Sequence, residues 1–399
     1  MISYQTSQNM LSLLPIGALR SERLFISSAL GRVLAEDIIA DEDYPTHPMS
    51  AMDGYAVIHA DFAEYKALSI LGDNPAGADE VDVVESGICI KTFTGSLMPL
   101  GSDTLIPIEN VSVQEGQILI EKSVPYGFAV RPIAESYRKG ETLISRGSTI
   151  GFAEVGVLAG INRVMVRVCQ RPRVSVIATG SEILEVGEVA RHAGQIRSSN
   201  SYTLEALVSQ LGGEPVQMGI VGDNENAIME RFEEALHSSD IVVSTGGVSV
   251  GDYDFVKHIV PALGAEVIFK GVNIKPGQHV MVAQRGSKFI ISLPGFAYSS
   301  TVTFILYVAP LMARMMGCTN PYEPIEATLK VPFGKRSNKS EFTACNLSFE
   351  DGRYWVDFEG KKTGSSAILT NLLGNAALMI CGEDDGDLDS GTLVRVIKL

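Results

Sequence analysis

Between Arg173 and Met316, short apolar runs alternate with amphipathic stretches, and this alternation is the strongest constraint on the fold. VSVIATG, EPVQMGIV, DIVVSTG and FIISLPG read as strands. LEALVSQLGG and ENAIMERFEEALHSS carry apolar residues at helical spacing. Strands separated by helices pair in parallel, with both sheet faces covered, so the segment predicts a doubly wound α/β domain. A ligand of such a sheet sits beyond the carboxyl ends of its strands, where Thr179-Gly180, Thr245-Gly246 and Pro294-Gly295 fall. A long helix to Met316 follows the last turn. Its apolar run, Val302 to Met312, is too short for a bilayer and contains Pro310, which predicts a buried helix.

The stretch Ser244 to Lys257, STGGVSVGDYDFVK, carries the most chemistry. A buried strand turns through Gly246-Gly247 toward helical spacing over Phe255 to Leu263. Such a turn presents unpaired backbone N–H groups that suit a phosphate or another oxyanion, and it equally suits a tight structural turn. Asp252 and Asp254 sit at the helix start, where a divalent cation could bridge to that anion. Asp252 also fits as a helix-start acid.

At 399 residues the chain exceeds one core and predicts several domains. A net charge of −15 excludes a general nucleic-acid binder and requires any anionic ligand to find a locally basic pocket. Lys257, Lys270, Lys275, Arg131, Arg197, Lys361 and Lys362 are candidates for it, against the alternative of solvated surface charge. The cysteines Cys89, Cys169, Cys318, Cys345 and Cys381 have no CxxC spacing, which fits a reducing compartment, the cytoplasm, and neither zinc nor a disulfide framework. The N-terminus lacks the pattern of a signal peptide, and no membrane association is expected.

Residues 1–45 and 138–170 form a discontinuous N-terminal domain with helical and β character. Two helical patterns are expected before Ala40, the second being SSALGRVLAEDIIA, capped by Ser27-Ser28. Residues 46–137 form an inserted strand-rich domain with runs such as GICIKTF and GQILIEK, and residues 171–320 form the α/β domain. Residues 321–399 predict a small β-barrel from EATLKVPF, EFTACNLSF, YWVDFEG, AALMICG and TLVRVIKL. Trp355 is expected in the barrel core and His279 on the surface.

Six ordered motifs now point to a family: PMSAMDGYAV, TFTGSLMPLGSD, ATGSEI, GQIRSSN, TGGVSVGDYDFVK and IKPG. Together they resemble the MoeA family of molybdopterin molybdenumtransferases, which includes the E domain of gephyrin, over essentially the whole chain. The resemblance implies a MogA-like α/β domain, a four-domain homodimer, and a reaction in which adenylylated molybdopterin and molybdate give molybdenum cofactor and AMP, with Mg²⁺. It implies Asp53, Glu182, Asp223, Asp254 and Lys275 as catalytic residues, with Glu182 and Asp254 as metal ligands. Thr94, Gly95, Ser199, Asn200, Thr245, Gly246, Gly247, Ser249, Pro276 and Pro294 would bind substrate, and a molybdopterin adenylyltransferase would be a partner. Two simpler structural roles stand beside these: an Asx-type turn at Asp53 and a helix-charge role at Glu182.

Ser136, Ser181 and Ser198 stand where the family pattern carries acids. Phe296-Ala297 replaces Asn-Pro, Gln278 replaces a lysine, Gly271 replaces a lysine with Lys270 displaced by one position, and Asn338-Lys339 replaces Gly-Arg. A neutral amide opposes a dianion less well than an ammonium does. These changes motivate a second reading, a divergent member that binds molybdopterin or a protein partner without efficient insertion. A third is an altered oxyanion choice, such as tungstate.

Overall fold

The structure is a computed structural model that describes residues 1–17, 19–63, 67–78, 82–248, 255–362 and 364–399. The chain divides into two compact units, one formed by Met1–Ala35, Gly147–Val155 and Arg163–Leu399, the other by Glu36–Arg146 and Gly156–Asn162.

The larger unit is built on a mixed sheet of six strands: β1 (Arg173–Thr179), β2 (Glu214–Val221), β3 (Ile241–Thr245), β4 (Glu266–Lys270), β5 (Met281–Arg285) and β6 (Lys288–Leu293). Their spatial order is β2-β1-β3-β6-β5-β4. The first four run parallel, as the alternating pattern predicts, and β5 and β4 add an antiparallel edge absent from that reading. Strand order reverses between β1 and β3, which makes their carboxyl ends the topological switch point.

Helices α1 (Ser199–Gln210), α2 (Glu225–Ser238) and α3 (Val256–Ala262) cover the sheet together with a long helix, α4 (Ala297–Met316). Alternate strand residues supply its two faces. Val174, Val176, Val243 and Ile291 enter one core with α1 and α4, while Ile177, Val242 and Ile290 enter another with α2 and α3.

At 20 residues, α4 is longer than its apolar run suggests, and 89% of its most apolar window is buried within the protein. Pro310 has no N–H to give the Leu306 carbonyl, and that carbonyl instead accepts from Gln8 Nε2 at 3.2 Å. The adjoining turn, Phe304–Val308, widens into a π-helix.

Five further strands close a barrel: β7 (Ile325–Leu329), β8 (Ser340–Glu350), β9 (Arg353–Asp357), β10 (Ala376–Cys381) and β11 (Leu393–Lys398). The ring runs β8-β9-β7-β11-β10 and returns to β8, all pairs antiparallel except β7 with β9. Val356 fills the barrel core, so its neighbour Trp355 must face outward by strand alternation. The indole is half-buried, with Arg353 over its ring, which corrects the expected core position.

The N-terminal helix Tyr4–Leu13 is capped by Ser3, whose Oγ accepts from Thr6 N. The second expected helix does not form. Only Ile26–Ser28 makes a 3₁₀ turn, Gly31 takes a φ of 74°, and Leu34 bridges to Val168. Strand-type pairing has claimed the backbone that the helical spacing suggested, a tertiary override of a local pattern.

In the smaller unit, six strands order as Thr104–Pro107, Gly54–Val57, Ile88–Thr92, Ala67–Asn74, Gln117–Ile120 and Val111–Gln114. Leu68, Cys89, Ile106 and Ile118 fill its core.

Candidate functional site

The turns that follow β1, β3 and β6 open onto one cavity of about 1120 Å³. That volume exceeds the usual small-ligand range of roughly 300–1,000 Å³ and suits a nucleotide-sized or larger ligand. Short polar links fix the turns to one another. Thr179 Oγ1 donates to Thr245 O at 3.1 Å, and Gly246 N donates to Leu293 O at 3.1 Å. Asn200, at the start of α1, donates from Nδ2 to Gly295 O at 2.7 Å and accepts from Ser300 Oγ.

Gly246 and Gly247 have φ of 91° and 68°, the left-handed region that L side chains avoid. A Cβ on Gly246 would also lie 2.7 Å from Thr179 O, and one on Gly247 would lie 2.7 Å from Val256 Cγ2. Glycine is required here by conformation and space together. Both residues line the cavity, with the Gly246 N–H committed to Leu293 O.

The cavity brings together Glu182, Asp223, Lys275, Ser199, Asn200, Thr245, Gly246, Gly247, Pro276 and Pro294. Asp223 is oriented by a reciprocal pair with Ser181. Its Oδ2 accepts from Ser181 N at 3.0 Å, and its N–H donates to Ser181 Oγ at 2.9 Å. Ser249, Asp252 and Asp254 lie outside the described residues. Among the described residues, no group of three or more His, Cys, Asp or Glu side chains could hold a metal ion.

Asp53, Thr94 and Gly95 belong to the other compact unit, where Asp53 and Thr94 form a cluster of their own. Asp53 Oδ1 accepts from Thr94 N at 2.8 Å and from Thr94 Oγ1 at 2.7 Å. The Thr94 backbone N–H, then its hydroxyl, hold the exposed carboxyl below the usual carboxylate range.

The opposite wall of the cavity comes from the barrel, which supplies the candidate cation Lys362 and the substituted Lys339 together with Arg336, Glu341 and Ser366, to which sequence reasoning gave no site role. A signal was present: Lys335, Arg336 and Lys339 crowd the few residues before β8. Of the candidate cations, Arg197, Lys275 and Lys362 reach the cavity. Lys361 instead donates to Asn371 O and Leu373 O, and Arg131 pairs with Glu135 in the other unit. Among the described residues, five Lys and Arg side chains against three carboxylates make this lining cationic in a chain of net charge −15.

The two walls meet where Ile274–Lys275 pairs in parallel with Ser340–Glu341. Glu341, with only 4% of its side chain exposed, accepts from Ser337 Oγ at 2.7 Å and Arg336 N at 3.2 Å, and lies 3.4 Å from Lys275 Nζ. Burial raises the Tyr298 phenol well above its ordinary pKa, keeping it a donor to Phe342 O at 2.8 Å and tying α4 to β8.

The substituted positions have definite places. Gln278 Oε1 accepts from Lys339 Nζ, and its Nε2 lies 2.8 Å from Nε2 of His279. His279 lines the cavity, which corrects its expected surface position. Phe296 is 61% exposed at the cavity and does not enter the core. Ser198 is buried with its Oγ 2.7 Å from Ser201 Oγ.

A switch-point cavity with a glycine turn on one side and cationic side chains on the other marks an α/β protein whose site suits an anionic ligand. Comparison with known proteins narrows that class. Residues 2–161 match the MoeA N-terminal region (domain I and II), and residues 175–314 match the probable molybdopterin binding domain. A molybdopterin molybdenumtransferase of Nostoc sp. is 34% identical over 385 residues, 93% of this chain and 87% of that protein. One from Haemophilus influenzae is 30% identical over 98% of this chain and 97% of its own length. A molybdopterin biosynthesis moeA protein from Pyrococcus horikoshii superposes with a TM-score of 0.85 at 28% identity, covering 100% of both chains. The chain belongs to the MoeA family of molybdopterin molybdenumtransferases.

Proposed function

We propose that the protein is a transferase of molybdenum cofactor biosynthesis that takes adenylylated molybdopterin and molybdate and releases AMP. The observation that carries this reading is the cationic cavity, which joins a glycine phosphate cradle to a lysine-bearing barrel wall in an acidic chain of this family. The backbone N–H of Gly247 receives a phosphate oxygen in a turn that the Gly246 N–H to Leu293 O bond already holds in place. Lys275, Lys339 and Arg336 face the molybdate and offset its charge. Ser199, Asn200, Thr245, Pro276 and Pro294 shape the cleft around the substrate.

Glu182 and Asp223 are hard oxygen donors on the cradle side. Their chemistry fits Mg²⁺, which uses one or two carboxylates and completes its shell with water and phosphate oxygens. Glu182 would hold it, with Asp254 from the segment after the cradle. Bound there, it would neutralise charge that develops as the phosphoanhydride breaks.

The active form in this reading is a homodimer in which Asp53 and Thr94-Gly95 of one subunit serve the cavity of the other. Phe25 pairs in register with Met165, and both are exposed beside exposed Val164, an apolar surface that a second copy would cover. The reading also includes a cytoplasmic location and substrate delivery by an adenylyltransferase partner.

The test is AMP release from adenylylated molybdopterin with and without molybdate and Mg²⁺. Release that needs both, with cofactor formed, is the expected result. Tight binding without turnover would replace the reading by that of a divergent carrier, and no binding would overturn it.

A further inference from the structure

We propose that Gln278 is a positioning residue that anchors the ammonium of Lys339 on the cavity wall without cancelling its charge. The inference rests on the oxyanion role given to this wall above. The segment Ile274–Gln278 and the segment Lys339–Glu341 are held together by parallel pairing of Ile274 with Ser340 and of Lys275 with Glu341. Two side-chain links cross that seam in opposite directions. Lys275 reaches from the α/β side to the Glu341 carboxylate, 3.4 Å away. Lys339 reaches from the barrel side to the Gln278 amide.

The two links differ electrostatically. A buried carboxylate both fixes its lysine and neutralises much of its field, whereas an amide oxygen fixes a lysine through a dipole and leaves the full unit charge for a ligand. The amide orientation follows from donor chemistry. An ammonium can only donate, so Gln278 turns Oε1 to Lys339 and Nε2 toward His279, whose Nε2, 2.8 Å away, is then the acceptor. His279 thus keeps the amide from turning round. The neutral residue at 278 supplies the anchor for a cation presented from 339.

The experiment uses the full-length protein and molybdate as the probe, with its KM and kcat read from AMP release. Gln278→Ala is expected to raise the molybdate KM roughly tenfold with kcat within about twofold, because a ground-state contact to the anion is loosened. Gln278→Glu should raise KM at least as much although it keeps the contact, because it cancels the charge. Lys339→Ala should cost a similar factor, and the double variant Gln278→Ala/Lys339→Ala no more than Lys339→Ala alone, since the two residues act as one unit. Multiplying effects, or an unchanged KM in Gln278→Ala, would overturn the proposal. A second readout needs no turnover: the rate of amine acylation at Lys339, followed by mass spectrometry. Release of the anchored ammonium in Gln278→Ala should raise it roughly threefold. An unchanged rate would overturn the anchor whatever the activity, whereas a raised rate in a protein that releases no AMP would sink only the function proposed above.

Discussion

The two walls of the cavity meet the same ligand by different physical means. The α/β wall is backbone: three turns at the carboxyl ends of β1, β3 and β6, with Gly246 and Gly247 in conformations no other residue adopts without strain. The barrel wall is side chain: Arg336, Lys339 and Lys362, with Glu341 setting the seam. A backbone cradle tolerates little change in geometry but carries only partial charge. A side-chain wall carries full charge and can be retuned one residue at a time. The substituted Lys339 lies on that wall and Gln278 faces it across the seam, while the cradle keeps its glycines.

Removing the charge at the seam should have the largest effect. Lys275→Ala should lower molybdate-dependent AMP release roughly 10²-fold, the usual scale for deleting one stabilising donor. It also strands the buried Glu341, so Lys275→Ala/Glu341→Gln should regain stability but not activity. Release within threefold of the parent would mean that the charge at the seam does not act on the reaction.

The cradle should answer in stability first. Gly246→Ala adds a Cβ 2.7 Å from Thr179 O at a φ of 91° and should cost about 2–3 kcal/mol in urea unfolding. At Gly286, φ is 61° and no atom lies within 4 Å of a built Cβ, so the same change should cost only about 1 kcal/mol. Equal costs would show that close packing under the cradle is not what demands glycine.

Asn200→Ala tests whether the third turn is held by its side-chain link. Losing the 2.7 Å bond to Gly295 O should cost about 1 kcal/mol, and the molybdate KM should rise less than in Lys275→Ala. A larger rise than in Lys275→Ala would place the third turn above the seam charge in binding the anion.

The smallest effect belongs to the other unit. Thr94→Val removes the hydroxyl that bonds Asp53, so the Asp53 carboxyl should titrate higher, closer to the ordinary carboxylate value, by carbon NMR. The folded-state pKa of Asp53 is depressed. Its contribution to stability is therefore full above the ordinary carboxylate pKa and is lost as pH falls through the depressed value. Thr94→Val should shrink that acid-side loss, and an unmoved titration would mean the bond is not made in solution.

The α/β wall was legible in the sequence because its information is local. Apolar runs ending in Thr179-Gly180, Thr245-Gly246 and Pro294-Gly295 mark strand ends, and a doubly wound sheet brings such ends together. The five barrel strands were legible as runs, but their contribution to the cavity was not. Lys339 and Glu341 reach it only because β8 pairs with Ile274–Lys275 across more than 60 residues of sequence. Local patterns also misled where pairing overrode them. Around Gly31 an expected helix gave way to bridges through Val33 and Leu34, and strand alternation turned Trp355 outward because Val356 points in. The antiparallel edge, β4 and β5, went unread because a parallel reading leaves no place for it.

The most direct test of the division between the walls is anomalous diffraction at the molybdenum edge from crystals soaked in molybdate. The account predicts a molybdenum peak against the barrel wall, within reach of Lys275 and Lys339 and away from the Gly246-Gly247 cradle. A peak seated in the cradle, or none in the cavity, would contradict it.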